Sequence, residues 1–325
     1  MIPLKLLFLL ATTSYNAIAS WQENIKDKPP GQLIDLGGYN LHLYSSGFGN
    51  PTVIIEHSLG GIDGYFLIKE IANFTRVCIY DRPGYGWSEM SPLPRSSSEM
   101  AKELDRLLTK GKIEPPYILV GNSLGSYNVR LYAHYFPEKV MGIVLTDGLH
   151  EEEMLKLSLG LIALKLFFMS GFAMSILGAI LGIVRILGIM RIFEIIKKEL
   201  RQFNSSTLKI VKRSFYRPQH WLTMWREMWN LEVSGRQVSQ ANNLGNIPLV
   251  TIKAATFLKP SIGKFSLRIK AADLVRDKMQ DRLLELSSNS KQILAKKSGH
   301  FVWIDEPEII KNAVVEVLTM CRKES

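Results

Sequence analysis

The pentapeptide Gly121-Asn122-Ser123-Leu124-Gly125 constrains this chain more than any other stretch. Tyr117 to Val120 before it has the make-up of a short buried strand, and Ser126 to Phe136 behind it that of a helix, so the five residues form a strand-to-helix turn. A serine on such a turn takes strained dihedrals and projects its hydroxyl from the end of a sheet. Small residues two before and two after it let strand and helix pass closely, and Gly121 and Gly125 meet that need. On these five residues alone, a plain Gly-rich turn with an incidental serine fits equally well. The rest of the chain separates the two readings.

Taken in order, the chain alternates strand and helix patterns. Gln32 to Asp35 and Asn40 to Ser45 alternate at period two around Gly37-Gly38 and predict a hairpin. Thr52 to Glu56 predicts a third strand running into His57-Ser58-Leu59-Gly60-Gly61, and Arg76 to Tyr80 a fourth ending in Asp81-Arg82-Pro83-Gly84-Tyr85-Gly86. Ser97 to Leu108 predicts a helix capped by Ser98. Val140 to Thr146 predicts another strand with Asp147 at its end, and Pro248 to Lys253 and Gln292 to Lys296 predict the last two. Such alternation implies the α/β class: a mostly parallel central sheet with helices on both faces.

Composition narrows the function classes. The 325 residues, 46% of them apolar, suffice for one large core with an insertion. Cys78 and Cys321 are too few for a disulfide framework and lack metal-ligand spacing, and no motif for a metal, nucleotide or other cofactor is present. The formal charge of +10 invites a nucleic-acid reading. However, 156–213, the most apolar part of the chain, holds ten Lys and Arg against two Glu, which points to a membrane surface and away from nucleic acid. At the N-terminus, Lys5, the apolar run Leu6 to Thr12 and Ala17-Ile18-Ala19 together read as an export signal cleaved after Ala19. An uncleaved anchor or a buried first helix is the other reading of residues 1–20.

Four motifs in order carry a resemblance: His57-Ser58-Leu59-Gly60-Gly61, Asp81 to Gly86, Gly121 to Gly125, and Ser298-Gly299-His300 followed by Asp305-Glu306-Pro307. The chain resembles the α/β-hydrolase fold family over about 32–150 and 245–320, with a cap inserted between. The resemblance implies a serine hydrolase with a core in two parts, 21–150 and 245–325, and a cap over 151–244. It implies Ser123 as nucleophile, His300 as its base, and the backbone N–H groups of Leu59 and Leu124 as oxyanion donors. Two positions compete for the acid. Many members carry it after the seventh strand, where the first acidic residue here is Asp273; some branches carry it after the sixth, where Asp147 stands and is preferred. Ser58 occupies a position where the family usually has Gly. Of the other histidines, His42, His57 and His134 read as structural, His150 as a pocket-lining residue, and His220 as the start of an aromatic patch.

Within the cap, Leu166 to Val184 carries no charge over nineteen residues, the minimum for a transmembrane helix. A single crossing would separate Ser123 from His300, so the stretch is expected to lie in the interface, to re-enter, or to pack as a lid, with Gly171, Gly178 and Gly182 as candidate breaks. Arg185 to Leu200 has the make-up of one basic amphipathic interfacial helix, and Trp221, Trp225 and Trp229 share a helical face that reads as cap core. The expected partners are a small apolar ester and a membrane surface touched by the cap. Rival readings are acyl transfer through the same triad, and a catalytically silent fold that binds at membranes. Oligomeric state is left open by the sequence.

Overall fold

The computed structural model describes residues 4–156, 158–257 and 266–324. Its centre is an eight-stranded sheet in the order β1-β2-β4-β3-β5-β6-β7-β8. The strands are β1 (Gln32–Asp35), β2 (Asn40–Ser46), β3 (Thr52–Glu56), β4 (Val77–Tyr80), β5 (Tyr117–Asn122), β6 (Val140–Thr146), β7 (Leu249–Ala254) and β8 (Ser290–Ala295). β2 pairs antiparallel with β1 and β4; every pairing from β4 through β8 is parallel. The central strands β3, β4 and β5 are buried throughout, as their unbroken apolar runs require, whereas the edge strand β1 is largely exposed. The pattern-based strand boundaries agree with these to within two residues.

Helices cover both faces. On one lie α3 (Ser97–Lys110) and α4 (Gly125–Tyr135), packed through Leu104, Leu107 and Leu131. On the other lie α2 (Gly64–Ala72) and α14 (Pro307–Glu324), packed through Leu67, Ile71, Ile310 and Val314. The N-cap of α3 lies two residues earlier than expected: it is Ser96, with extended backbone, and Ser98 lies inside the helix. α12 (Ser266–Leu284) precedes β8, and the short α13 (Val302–Asp305) follows it.

The insertion between β6 and β7 is entirely helical: α5 (Glu151–Leu155), α6 (Leu159–Ile180), α7 (Ile183–Ile189), α8 (Ile192–Ile196), α9 (Ser205–Phe215), α10 (Pro218–Trp229) and α11 (Leu231–Val238). Three expectations change here. Of the candidate glycine breaks, Gly171 and Gly178 lie inside α6, and the chain turns at Gly182 with φ +75°. A Cβ at Gly182 would lie 2.3 Å from the Thr12 carbonyl oxygen, so both the left-handed backbone and the close approach require glycine. The stretch from Arg185 is not one amphipathic helix, because left-handed Arg191 separates α7 from α8. Several of its cations are also held by protein: Arg185 is buried, and Lys197 pairs with Asp305. The tryptophan stripe of α10 is cap core only at its start: Trp221 packs on Phe215 and donates to its carbonyl, whereas Trp225 is half-buried and stacked on exposed Trp229, and the fully buried face is His220, Thr223 and Glu227.

Preceding the sheet, α1 (Leu4–Lys26) is one continuous helix through Ala19 that packs on the insertion.

Candidate active site

β5 delivers Ser123 to the carboxyl end of the sheet with φ +50°, and the Ser123 amide donates to the Thr146 carbonyl on β6 over 3.0 Å. Close packing explains the flanking glycines: a Cβ on Gly125 would lie 2.5 Å from the Glu56 carbonyl oxygen, and one on Gly121 would lie 2.7 Å from that of Gly125. β6 ends at Asp147, also left-handed at φ +42°, whose amide donates to Ile252 on β7. After β8, the loop bearing His300 is tied down by its own acidic residues. Lys297 N donates to Glu306, Gly299 N to Asp305, and His300 N to the Phe257 carbonyl.

These three strand ends bring Ser123, Asp147 and His300 together. His300 Nε2 lies 2.9 Å from Ser123 Oγ, and His300 Nδ1 lies 2.6 Å from Asp147 Oδ2. The second Asp147 oxygen accepts from Ala254 N at 3.2 Å and faces Arg276 Nε at 3.5 Å. Asp273 is elsewhere: it accepts from Phe257 N at 2.6 Å and from Thr256 Oγ1 at 3.2 Å. It therefore secures the loop whose Phe257 carbonyl holds His300, without touching the imidazole itself.

Leu59 and Leu124 both line the cavity with Ser123, and among the described residues neither amide donates a hydrogen bond. The Leu59 loop is built on buried charge. Ser58 Oγ donates to Asp63 Oδ1 at 2.7 Å, the Ser58 amide donates to Asp63 Oδ2, and Asn122 Nδ2 reaches the same oxygen at 3.1 Å. Ser58 has no left-handed backbone, so the residue that stands in place of glycine is unstrained, and its hydroxyl pins the loop. Burial pushes the Asp63 carboxyl up to about 6, against the lowering effect of the Ser58 and Asn122 hydrogen bonds. Behind the loop, fully buried Arg82 donates to the carbonyls of His57 and Ser58 at 2.8 Å each, to Glu56 at 2.8 Å, and to both oxygens of Glu227 on α10.

The remaining histidines stay apart from Ser123. His57 Nδ1 accepts from Gly64 N, and burial lowers its pKa to about 3; His220 bonds Ser214 and is lowered likewise. His42 meets Asp81, and His134 is exposed on α4. His150 does not line the cavity beside Ser123, contrary to expectation, because it caps α5 by accepting from Glu152 N.

That cavity, about 350 Å³, is lined by apolar side chains of the insertion, including Leu161, Leu164, Phe168 and Phe172 of α6 and Met224 and Met228 of α10. Among the described residues no cluster of His, Cys, Asp and Glu suits a metal ion.

A family model described as the alpha/beta hydrolase fold matches residues 51–175. The chain has the α/β-hydrolase fold. Solved hydrolases of this architecture superpose over most of its length. The epoxide hydrolase CorEH gives a TM-score of 0.62 at 15% identity, covering 89% of this chain and 98% of that one. A thermophilic esterase from Thermogutta terrifontis gives 0.60 at 16%, covering 89% and 98%. An uncharacterized vacuolar membrane protein of Saccharomyces cerevisiae (strain YJM789) is 35% identical over 114 residues, 33% of this chain. The chain matches only 17% of that relative's length.

Three residues of this hydrolase-fold site escaped the sequence reading, Asp63, Glu227 and Arg276, as did the reach of Arg82. For Glu227 a signal was present, since His220, Thr223 and Glu227 form a polar stripe at i, i+3, i+7 beside the tryptophans.

Proposed function

We propose that the protein is a serine hydrolase that cleaves apolar carboxylic esters at a membrane surface. The single observation that carries this reading is the hydrogen-bonded chain from Ser123 Oγ through both nitrogens of His300 to Asp147, opening on an apolar cavity. His300 takes the Ser123 proton as the oxygen attacks the ester carbonyl. Asp147 fixes the imidazole tautomer and stabilises the imidazolium. The N–H groups of Leu59 and Leu124 receive the negative charge that develops on the carbonyl oxygen. His300 then protonates the departing alcohol, and water activated by the same imidazole releases the acid from Ser123.

A serine nucleophile favours esters over epoxides among the substrates named for similar folds. An alkoxide opening an epoxide would leave an ether, which water cannot readily cleave, whereas an acyl-serine is hydrolysable. The location rests on α6, 22 residues with mean hydropathy 1.9 and little buried surface, and on the name of the yeast relative.

The test is labelling by a fluorophosphonate probe followed by hydrolysis of p-nitrophenyl esters of increasing chain length. Labelling that disappears in Ser123→Ala, with turnover favouring longer acyl chains, is expected. A folded wild-type protein that neither labels nor turns over would overturn the reading and leave a binding protein. Acyl transfer in preference to hydrolysis when an alcohol is added would reassign it as a transferase.

A further inference from the structure

In the cap and α1 the usual burial of side chains is reversed. Most of the exposed large hydrophobic side chains among the described residues lie on α1 and α6 to α8, including Phe8, Trp21, Phe167, Met174, Leu177 and Ile189. A set of polar groups on the same helices, Thr12, Asn16, Ser20, Glu23 and Arg185, points inward. Arg185, 4% exposed, donates to Asn16 Oδ1 at 2.7 Å and to Ser20 Oγ at 2.9 Å, pairs with Glu23, and lies 4.4 Å from the Tyr216 ring. Asn16, Ser20 and Glu23 follow Thr12 along one stripe of α1.

Thr12 and Asn16 make a second set of bonds. Thr12 Oγ1 donates to the Leu181 carbonyl at 2.7 Å and Asn16 Nδ2 to the Ala179 carbonyl at 2.8 Å, at the C-terminal end of α6. Helix-end carbonyls lack partners within their own helix and are ordinarily satisfied by water or a cap. Side chains of a separate helix take up that task here, Thr12 at Leu181 and Asn16 beside the Gly182 amide at Ala179, under a surface of leucine, isoleucine and phenylalanine. Inward polar groups, outward apolar groups and internally satisfied backbone are what a low-dielectric surrounding demands.

We infer that α1 remains part of the working protein and joins α6 to α8 in a platform that sinks into the surface of an anionic phospholipid bilayer, directly over the cavity. The platform does not span. α6 turns Leu161, Leu164, Phe168 and Phe172 to the cavity while Phe167, Met174 and Leu177 face outward, so it lies flat across the protein. Cations stand at the ends of these helices: Lys156 before α6, Arg191 between α7 and α8, and Lys198 after α8, each exposed. Such a flanking set suits anionic headgroups and adds to the apolar burial. With one face of α6 toward lipid and the other toward Ser123, the substrate is an acyl ester resident in the bilayer; this last step rests on the serine-hydrolase reading.

The experiment uses the full chain in flotation with phosphatidylcholine–phosphatidylserine liposomes, including brominated acyl chains as quenchers. Expected results are co-flotation, quenching of Trp21 seen as the difference from Trp21→Phe, and an N-terminal peptide containing Asn16 in the bound protein. Phe167→Glu, Met174→Glu and Leu177→Glu combined should abolish flotation and leave turnover of a short soluble ester intact. Ser123→Ala should float like wild type, so loss of chemistry and loss of binding are read separately. Protein that stays in solution, a mature chain beginning at Ser20, unquenched Trp21, or a lipid-free dimer that buries this face would each overturn the inference.

Discussion

The hydrolase core and the α1-cap assembly treat charge and oil in opposite ways. In the core, apolar strands face inward, and the buried charges are held as pairs beneath the helices and loops that cover the sheet: Arg82 with Glu56 and Glu227, Arg95 with Glu103, and Arg130 with Glu151. In the α1-cap assembly, Arg185 is buried with Glu23, and most large apolar side chains of α1 and one face of α6 look outward. The same residue types thus serve two surroundings. What a hydrophobic run means depends on what lies outside it, which local periodicity does not encode.

Experiments that break or sharpen this contrast begin in the core. Ser123→Ala and His300→Ala should each lower kcat by about 10⁴-fold or more, with the double variant no worse than either. The thermal unfolding midpoint should be nearly unchanged in Ser123→Ala and lower in His300→Ala, which also loses ring contacts with Phe257, Phe301 and Trp303 and strands buried Asp147; esterase assays and melting curves check both points. Asp147→Asn should lower kcat by about 10³ to 10⁴-fold, because an amide neither fixes the tautomer nor stabilises the imidazolium. Asp273→Asn should cost only a few-fold, through its hold on Phe257. The reverse ranking would place the acid after β7.

Glu227→Leu tests the junction of the two regions. It leaves Arg82 with Glu56 as its one carboxylate partner and should destabilise by about 3 kcal/mol, with a loss of turnover as the Leu59 loop loosens. Denaturant melts and kcat together report it. Asp63 supplies a pH test. Its folded pKa of about 6 lies above the ordinary 3.8, so between these values the native state holds the extra proton. Stability should then fall as pH rises from about 4 to about 6, by on the order of 2 kcal/mol, and Asp63→Asn should remove that slope. The smallest effect expected is for Arg185→Leu. Glu23 keeps Arg217 at 3.0 Å, so the cost should be about 1 to 2 kcal/mol, seen as faster proteolysis between α1 and β1.

The core was readable because its physics is local. β3 and β6 announce themselves as apolar runs bounded by turns, and the Ser123 turn demands its two glycines wherever a strand meets a helix so abruptly. Asp147 and Asp273 were harder to separate, since both follow strands; only the meeting of three strand ends places Asp147 against His300. The cap resisted for a different reason. The turn at Gly182 and the inward turn of Arg185 both meet α1, more than 150 residues earlier in the chain, and no window of sequence contains both. Glu227 was hidden by its neighbours, because the tryptophan stripe stands out beside the polar His220, Thr223 and Glu227 face that is the more deeply buried.

Arg82 also bears on how this architecture could be recombined. Its guanidinium is shared among a carboxylate on the sheet, two carbonyls of the loop beside Ser123, and a carboxylate that arrives with the insertion. A cap transplanted from a relative would have to present an acidic side chain at the place of Glu227. Without it, the graft would strand a cation beneath the site it was meant to respecify. The insertion is thus no interchangeable module, and chimaeras cut at 151 and 244 that lose this pair should be less stable than those that keep it.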